Sequence, residues 1–559
     1  MANFDISGAR FNEQLRMLET TDPVHADLMN AMFGQLIRND VAMRDAVSVF
    51  AKTKNEQALF LLNLRRTGKR YGVHFDAYSV SPASTGTRLY DAVGKVATPS
   101  TDSVRGINDF EGESVFYGLE VNGHVDTDGE FVVEYIKGID NEFSREDEDV
   151  YILFLTQWIE MEVTANGENI ILSDENHPGS FPEAAAIRPD GTVRPFVPIA
   201  KYMAWDDDSG IPHSMSGKTA NHNQSHNGMI TRFRKKGTQY CGTTAQDKAH
   251  LDNLFLVAFA TRHTQSIMTG CTSYYYQYKA SVQEADVERI IITKAQAANL
   301  VVGSSVSIGN ATTLSGDSPN IDRSNSGMHA KANRVVITAI EDYDESNSAV
   351  YVDNGGTKFS TASTMINGSV ESPTYISTMP WKTGACDNVL GSCGSPVSNT
   401  NSKYPYILFG VEMFLGFWEI ISNVILKITS HVMVPYICYD CTKLATSVTE
   451  DYKAVGYSVV NTQATYKYIS KLGYDPDNPC VRHAVEVNAT SSTGYGDGHY
   501  TENLDEASDA TREWLSGGSL YYGAFAGRFY AYLYYALSYA YWYYAARLSA
   551  SGRCAQSAA

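Results

Sequence analysis

Ten of the chain's 36 tyrosines crowd the stretch from Tyr521 to Tyr544. A phenol ring joins a large, rigid apolar face to a hydroxyl that both donates and accepts hydrogen bonds, so tyrosine is suited to molecular recognition. Tyr530, Tyr532 and Tyr534 alternate with Ala531 and Leu533, and Tyr539, Tyr541 and Tyr543 alternate with Ala540 and Trp542. A period of two predicts strands with a tyrosine face and an opposite Ala, Leu and Trp face suited to a core. Tyr535 and Tyr544 break the alternation. The competing reading makes all ten rings core aromatics of a β domain. It requires a hydrogen-bond partner for every buried phenol, each unmet one costing about 1–3 kcal/mol. The neighbouring residues are mainly Gly, Ala, Leu and Phe and supply few partners. The rings are therefore expected to face outward.

Other chemistry is thinly supported by spacing. Cys438 and Cys441 stand at metal-clip distance, but no second pair matches them. His222 and His226 are four apart, within a segment of loop-forming residues. Asp126, Asp128 and Gly129 resemble the start of a calcium loop without its closing glutamate, and a hairpin turn is the expectation. There is neither a Gly-x-Ser-x-Gly elbow nor a His-Glu-x-x-His helix. The expectation is a binding protein with no catalytic residue, metal or cofactor. A glycan-cleaving enzyme stays open as the alternative, because a pair of carboxylates at working distance leaves no sequence signature.

Length and composition bound what can position the rings. At 559 residues, 43% hydrophobic and 11% aromatic, the chain has material for several packed domains. A net charge of −19 argues against nucleic-acid binding, and the basic clusters Arg65, Arg66, Lys69, Arg70 and Arg232, Arg234, Lys235, Lys236 read as solvated faces. The opening residues MANFDISGARFNEQ lack an apolar core and a cleavage pattern, so export by a secretory signal is not expected. With no such signal, the eight cysteines are expected as reduced thiols. The apolar run from Tyr404 to Leu426 contains Pro405, Glu412, Glu419 and Asn423, so buried strands and loops are expected there, not membrane insertion.

Four segments follow from the patterning, giving an α+β multidomain class. Residues 1–70 read as helical. Phe11, Leu15 and Leu18 share one face, Asp22 and Pro23 start a second helix bearing Met29, Phe33 and Leu36, and a third stretch runs from Val41 to Leu64. Residues 71–280 read as a β-rich central region. Residues 281–360 read as a small connector, with strand, helix and strand across Val282–Ile308 and then the strand-like runs VVITAI and AVYVD. Residues 361–559 are rich in Gly, Ser, Thr, Asn and aromatics.

The pattern Gly517-Gly518, Tyr521-Tyr522-Gly523-Ala524, Ala526-Gly527, Ala536-Leu537-Ser538, Trp542, Arg547-Leu548-Ser549 resembles the variable C-terminus of phage proteins altered by diversity-generating retroelements. Upstream, Gly410-Val411-Glu412, Gly416 and Trp418-Glu419 look like the signature of that family's C-type-lectin-like (formylglycine-generating-enzyme-like) fold. The segments Phe11–Asp40, Arg88–Phe110 and Ala260–Tyr278 are similar to phage tail proteins. The resemblance implies a virion tail or fibre-tip receptor-binding protein with a lectin-like domain over 361–559. It also implies a bacterial surface receptor, other tail proteins as partners, and a homotrimer. A purely structural virion protein is a further alternative. In that comparison the diversified, ligand-contacting positions are Ser519, Tyr521, Tyr522, Phe525, Tyr530, Tyr532, Tyr534, Tyr535, Tyr539, Tyr541, Tyr543 and Tyr544, while Gly517, Gly518, Trp542 and Arg547 hold the frame.

Overall fold

The computed structural model describes residues 52–551 and 553–555. The two helices expected before residue 40 lie outside them. Within the third expected stretch, a helix spans Lys54–Asn63. The chain divides after residue 61 into two units. The second is built mainly of antiparallel and mixed sheets with few helices.

Its central sheet runs Cys241–Gly242, Arg547–Ser549, Phe196–Met203, Val150–Leu155, Leu119–Val125, Phe131–Ile136. Val150–Leu155 and Phe196–Met203 are buried along their whole length, as unbroken apolar runs in a covered sheet should be. The strand Arg547–Ser549 ties the C-terminal segment into this sheet, pairing Arg547 with Met203 and Ser549 with Ile199. Residues 71–280 and 361–559 thus share one hydrogen-bonded layer.

The Asp126–Gly129 segment is a hairpin turn. The Asp126 carboxylate accepts from the Asp128 and Glu130 amides at 3.0 and 2.9 Å, closing the loop between Leu119–Val125 and Phe131–Ile136. The strand–helix–strand pattern at 282–308 is present as Arg289–Thr293, Lys294–Ala297 and Ser305–Gly309. It belongs to a six-stranded sheet whose edge strands are Gln277–Lys279 and Arg289–Thr293 and which also includes Tyr375–Met379. The Tyr404–Leu426 run folds as short strands, and among the described residues no helix is long and apolar enough to cross a membrane.

Two expectations for the central region are corrected. It contains the helices His226–Phe233 and Ala245–Phe259 where only strands and loops were foreseen. The second starts with a capping box between Thr244 and Asp247 and is buried around most of its circumference, which erases the one-sided apolar stripe that would announce it. The Arg232 cluster is not a solvated face either. Arg232 is buried and paired with Asp206 at 2.6 Å, and Arg234 donates to the carbonyls of Thr442 and Leu444.

Candidate functional site

The tyrosine-bearing strand Gly527–Leu533 lies within a mixed six-stranded sheet, parallel to Gly498–Thr501 and antiparallel to Leu515–Gly517. Its alternation works as period two requires on one side. Ala531 and Leu533 enter an apolar core with Leu426, Ile428 and Trp514. The opposite face, carrying Tyr530 and Tyr532, is covered as well. Trp418 is fully buried, 4.9 Å from the Tyr532 ring and 6.1 Å from Tyr530 in stacked geometry.

Around Trp418 the ring network widens. Tyr522 stacks on it at 4.4 Å, while Tyr543 and Tyr544 meet it at 5.3 and 5.4 Å. Tyr466 and Tyr500, 64 and 30 residues before Tyr530, extend the layer. The Tyr466 hydroxyl lies 3.3 Å from that of Tyr530, and the Tyr500 ring stacks on Tyr532 at 4.7 Å. Phe525 packs between Tyr466 and Tyr468 at 4.7 and 4.9 Å. Beyond this inner layer Tyr535 and Tyr539 lie face to face at 4.1 Å and 4°, and Tyr541 donates to Asp322 at 2.8 Å.

Exposure divides the twelve positions named from sequence. Tyr521, Tyr534 and Tyr539 are exposed, at 62%, 41% and 37%. Tyr522, Phe525, Tyr535, Tyr541 and Tyr543 are half-buried. Tyr530, Tyr532, Tyr544 and Ser519 are buried, so these four side chains do not face outward in this structure. The second alternation, Tyr539 to Tyr543, is not a strand; only Tyr544–Ala545 pairs, with Trp418–Glu419. The excursion from Tyr534 to Tyr543 is a loop folded back on the sheet, which lets alternate rings stack instead of splitting between two faces.

Burial raises the phenol pKa of Tyr522, Tyr530, Tyr532, Tyr543 and Tyr544, so the layer presents neutral hydroxyls and ring faces across ordinary pH. The Tyr541 phenol is also pushed up, by burial and then by Asp322.

The residues named as frame are held as a frame requires. Gly517 and Gly518 adopt φ of +88° and +96°, and a Cβ on Gly518 would sit 2.6 Å from that of Ala526. Arg547 is buried, donating to the Ala200, Lys201 and Glu412 carbonyls at 2.9, 2.9 and 2.7 Å. Trp542 is buried and stacks on Tyr275, over which the Arg323 guanidinium lies at 3.7 Å. Sequence reading missed Tyr275, Tyr466, Tyr500 and Arg323 as members of this surface. Tyr275 alone had a local signal, the Tyr274-Tyr275-Tyr276 run.

Among the described residues, no group of three His, Cys, Asp or Glu converges as a metal site. The described cysteines are free and buried. His226 begins the helix His226–Phe233, and burial lowers its pKa to about 4 and that of His222 to about 3.

No protein-family model matches the chain, and no curated protein matches its sequence. The Tyr-rich cluster fits a variable binding surface.

Proposed function

We propose that the chain is a receptor-binding protein of a phage virion, carried at the tail or fibre tip, whose aromatic rim contacts a bacterial surface molecule. The observation that carries this reading is the radial order of the cluster. Trp418, Tyr530 and Tyr544 are fully buried, and Tyr521, Tyr534 and Tyr539 are open at the edge of the same ring network. A recognition surface needs that combination, because rigid side chains lose little entropy on binding and a fixed backbone tolerates exchange at its exposed positions.

The resemblance to retroelement-diversified proteins supplies the origin of such a rim. The exposed positions are the ones at which substitution changes the partner without removing the inner layer. Repeated copies on a virion, a homotrimer among them, would raise a modest single-site affinity through avidity.

Labelled full-length protein incubated with a panel of bacterial strains tests the reading. The expected result is saturable, strain-selective adsorption. Adsorption to no strain, or release of oligosaccharide from the envelope, would overturn it, the second outcome in favour of a glycan-cleaving enzyme.

A further inference from the structure

In the run Tyr274-Tyr275-Tyr276 the two outer rings are drawn into the protein. They lie 5.8 Å apart, Tyr274 fully buried with its hydroxyl 2.9 Å from Ser304 Oγ, and Tyr276 half-buried and stacked on Tyr278 at 5.9 Å. Tyr275 between them is 39% exposed.

The exposed ring is braced from below. The Arg323 guanidinium lies 3.7 Å from the Tyr275 ring centroid and 5.6 Å from that of Trp542, and the Tyr275 and Trp542 rings are 6.4 Å apart at 24°. Arg323 is 2% exposed and fixed in turn, its Nε donating to the Thr378 carbonyl at 3.1 Å and its Nη2 to the Tyr276 carbonyl at 2.7 Å. Its neighbour Asp322 accepts from the Tyr541 hydroxyl at 2.8 Å. Two adjacent residues thus hold Tyr275 and the C-terminal loop on one support. A cation under an aromatic face stabilises the ring where it stands, and a ring already held loses little freedom when a partner covers it.

Tyr275 also continues the rim without a break. Tyr521, 62% exposed, meets it at 4.8 Å and 63°. At that separation two rings are in direct contact edge to face, so a partner that covers Tyr521 on this side strips water from Tyr275 as well. Rigid aromatic side chains that a partner desolvates are the groups that carry most of an interface's binding energy.

We infer that Tyr275 is a contact residue of the receptor site, whose footprint therefore crosses from residues 519–544 onto the segment before the strand Gln277–Lys279. This assignment rests on the receptor-binding reading above.

Adsorption of the full-length protein to a strain that binds the parent tests it, with Tyr275→Leu, Tyr521→Ser and Tyr343→Ala compared. Tyr343 is a control of matching exposure, 41%, in the turn between Ala332–Asp342 and Asn347–Asp353, and it has its own arginine neighbour, Arg289, at 5.6 Å. Tyr275→Leu keeps an apolar side chain over Arg323 and should raise the apparent Kd at least about tenfold, as loss of an interface anchor does, with Tyr521→Ser weakened and Tyr343→Ala at the parent value. A second measurement uses the unaltered chain: nitration by tetranitromethane, followed residue by residue with mass spectrometry, is expected to show Tyr275 and Tyr521 protected on cell-bound protein and Tyr343 unprotected. Parent-like adsorption by folded Tyr275→Leu, an equal loss in Tyr343→Ala, or nitration of Tyr275 that binding leaves unchanged while Tyr521 is protected would overturn the assignment and leave the receptor reading standing. If Tyr275→Leu fails to fold, the nitration pattern decides alone. A parent that adsorbs to no strain, or adsorption that protects neither ring, removes the receptor reading and the assignment together.

Discussion

The rings of Trp418 and Tyr522 stack 4.4 Å apart at 27°, joining a fully buried tryptophan to a half-buried tyrosine beside the exposed Tyr521. Through that contact the inner layer sets the position of the rim. Trp418→Ala should therefore cost about 3–5 kcal/mol, the range for large aromatic truncations in a packed core. Urea denaturation measures the loss, and a change within about 0.5 kcal/mol would refute the central placement of Trp418.

Tyr530 and Tyr544 belong to the core side of the network despite their place among the variable-like positions. Tyr530→Ser and Tyr544→Ser each remove a buried ring and should lower stability by about 3 kcal/mol or more. Thermal unfolding of the two single variants checks this. Melting points close to the parent would mean the rings are open to water in solution.

Gly518 tests the frame. Gly518→Ala combines a positive φ with a 2.6 Å approach to Ala526 Cβ, whereas Gly523, at φ +51°, has nothing within 4 Å of an added Cβ. Gly523→Ala should cost about 1 kcal/mol from backbone conformation alone, and Gly518→Ala clearly more. Equal losses in denaturant titrations would remove the close-approach argument.

Buried histidines give a pH signature. Burial lowers the pKa of His499 to about 3, and His483 falls well below its ordinary value through burial and then the neighbouring His499. The unfolded chain binds more protons than the folded one below about pH 6.5, so stability present above that pH is lost progressively as pH falls toward 3. His499→Phe should flatten this decline between pH 6.5 and 4, measured as free energy of unfolding. An unchanged slope would show that His499 titrates normally.

The sequence made local features legible and long-range coverage illegible. The Asp126–Gly129 hairpin and the Arg289–Gly309 strand–helix–strand depend on neighbours a few residues away, and both could be read from composition and order. Period two separated Tyr530 and Tyr532 from Ala531 and Leu533, but periodicity states which side chains share a face and not what lies upon it. Tyr466, Tyr500 and Trp418 come from distant segments, so the burial of Tyr530 and Tyr532 had no local signal. The loop after Leu533 hid for another reason: alternating tyrosines stack as readily along an irregular backbone as along a strand. The glycine and arginine frame was named through the family resemblance, and the structure supplies its physical reason, because a left-handed backbone and a buried cation each restrict the residue type strongly.

Adsorption and melting temperature measured together on the Tyr521→Ser, Tyr534→Ser and Tyr539→Ser triple variant test the central claim most directly. These three rings are exposed, so exposed-site substitutions should change stability by no more than about 0.5 kcal/mol each, while adsorption to bacteria that bind the parent protein is lost. Full adsorption by a folded triple variant, or collapse of its melting temperature, would contradict the account.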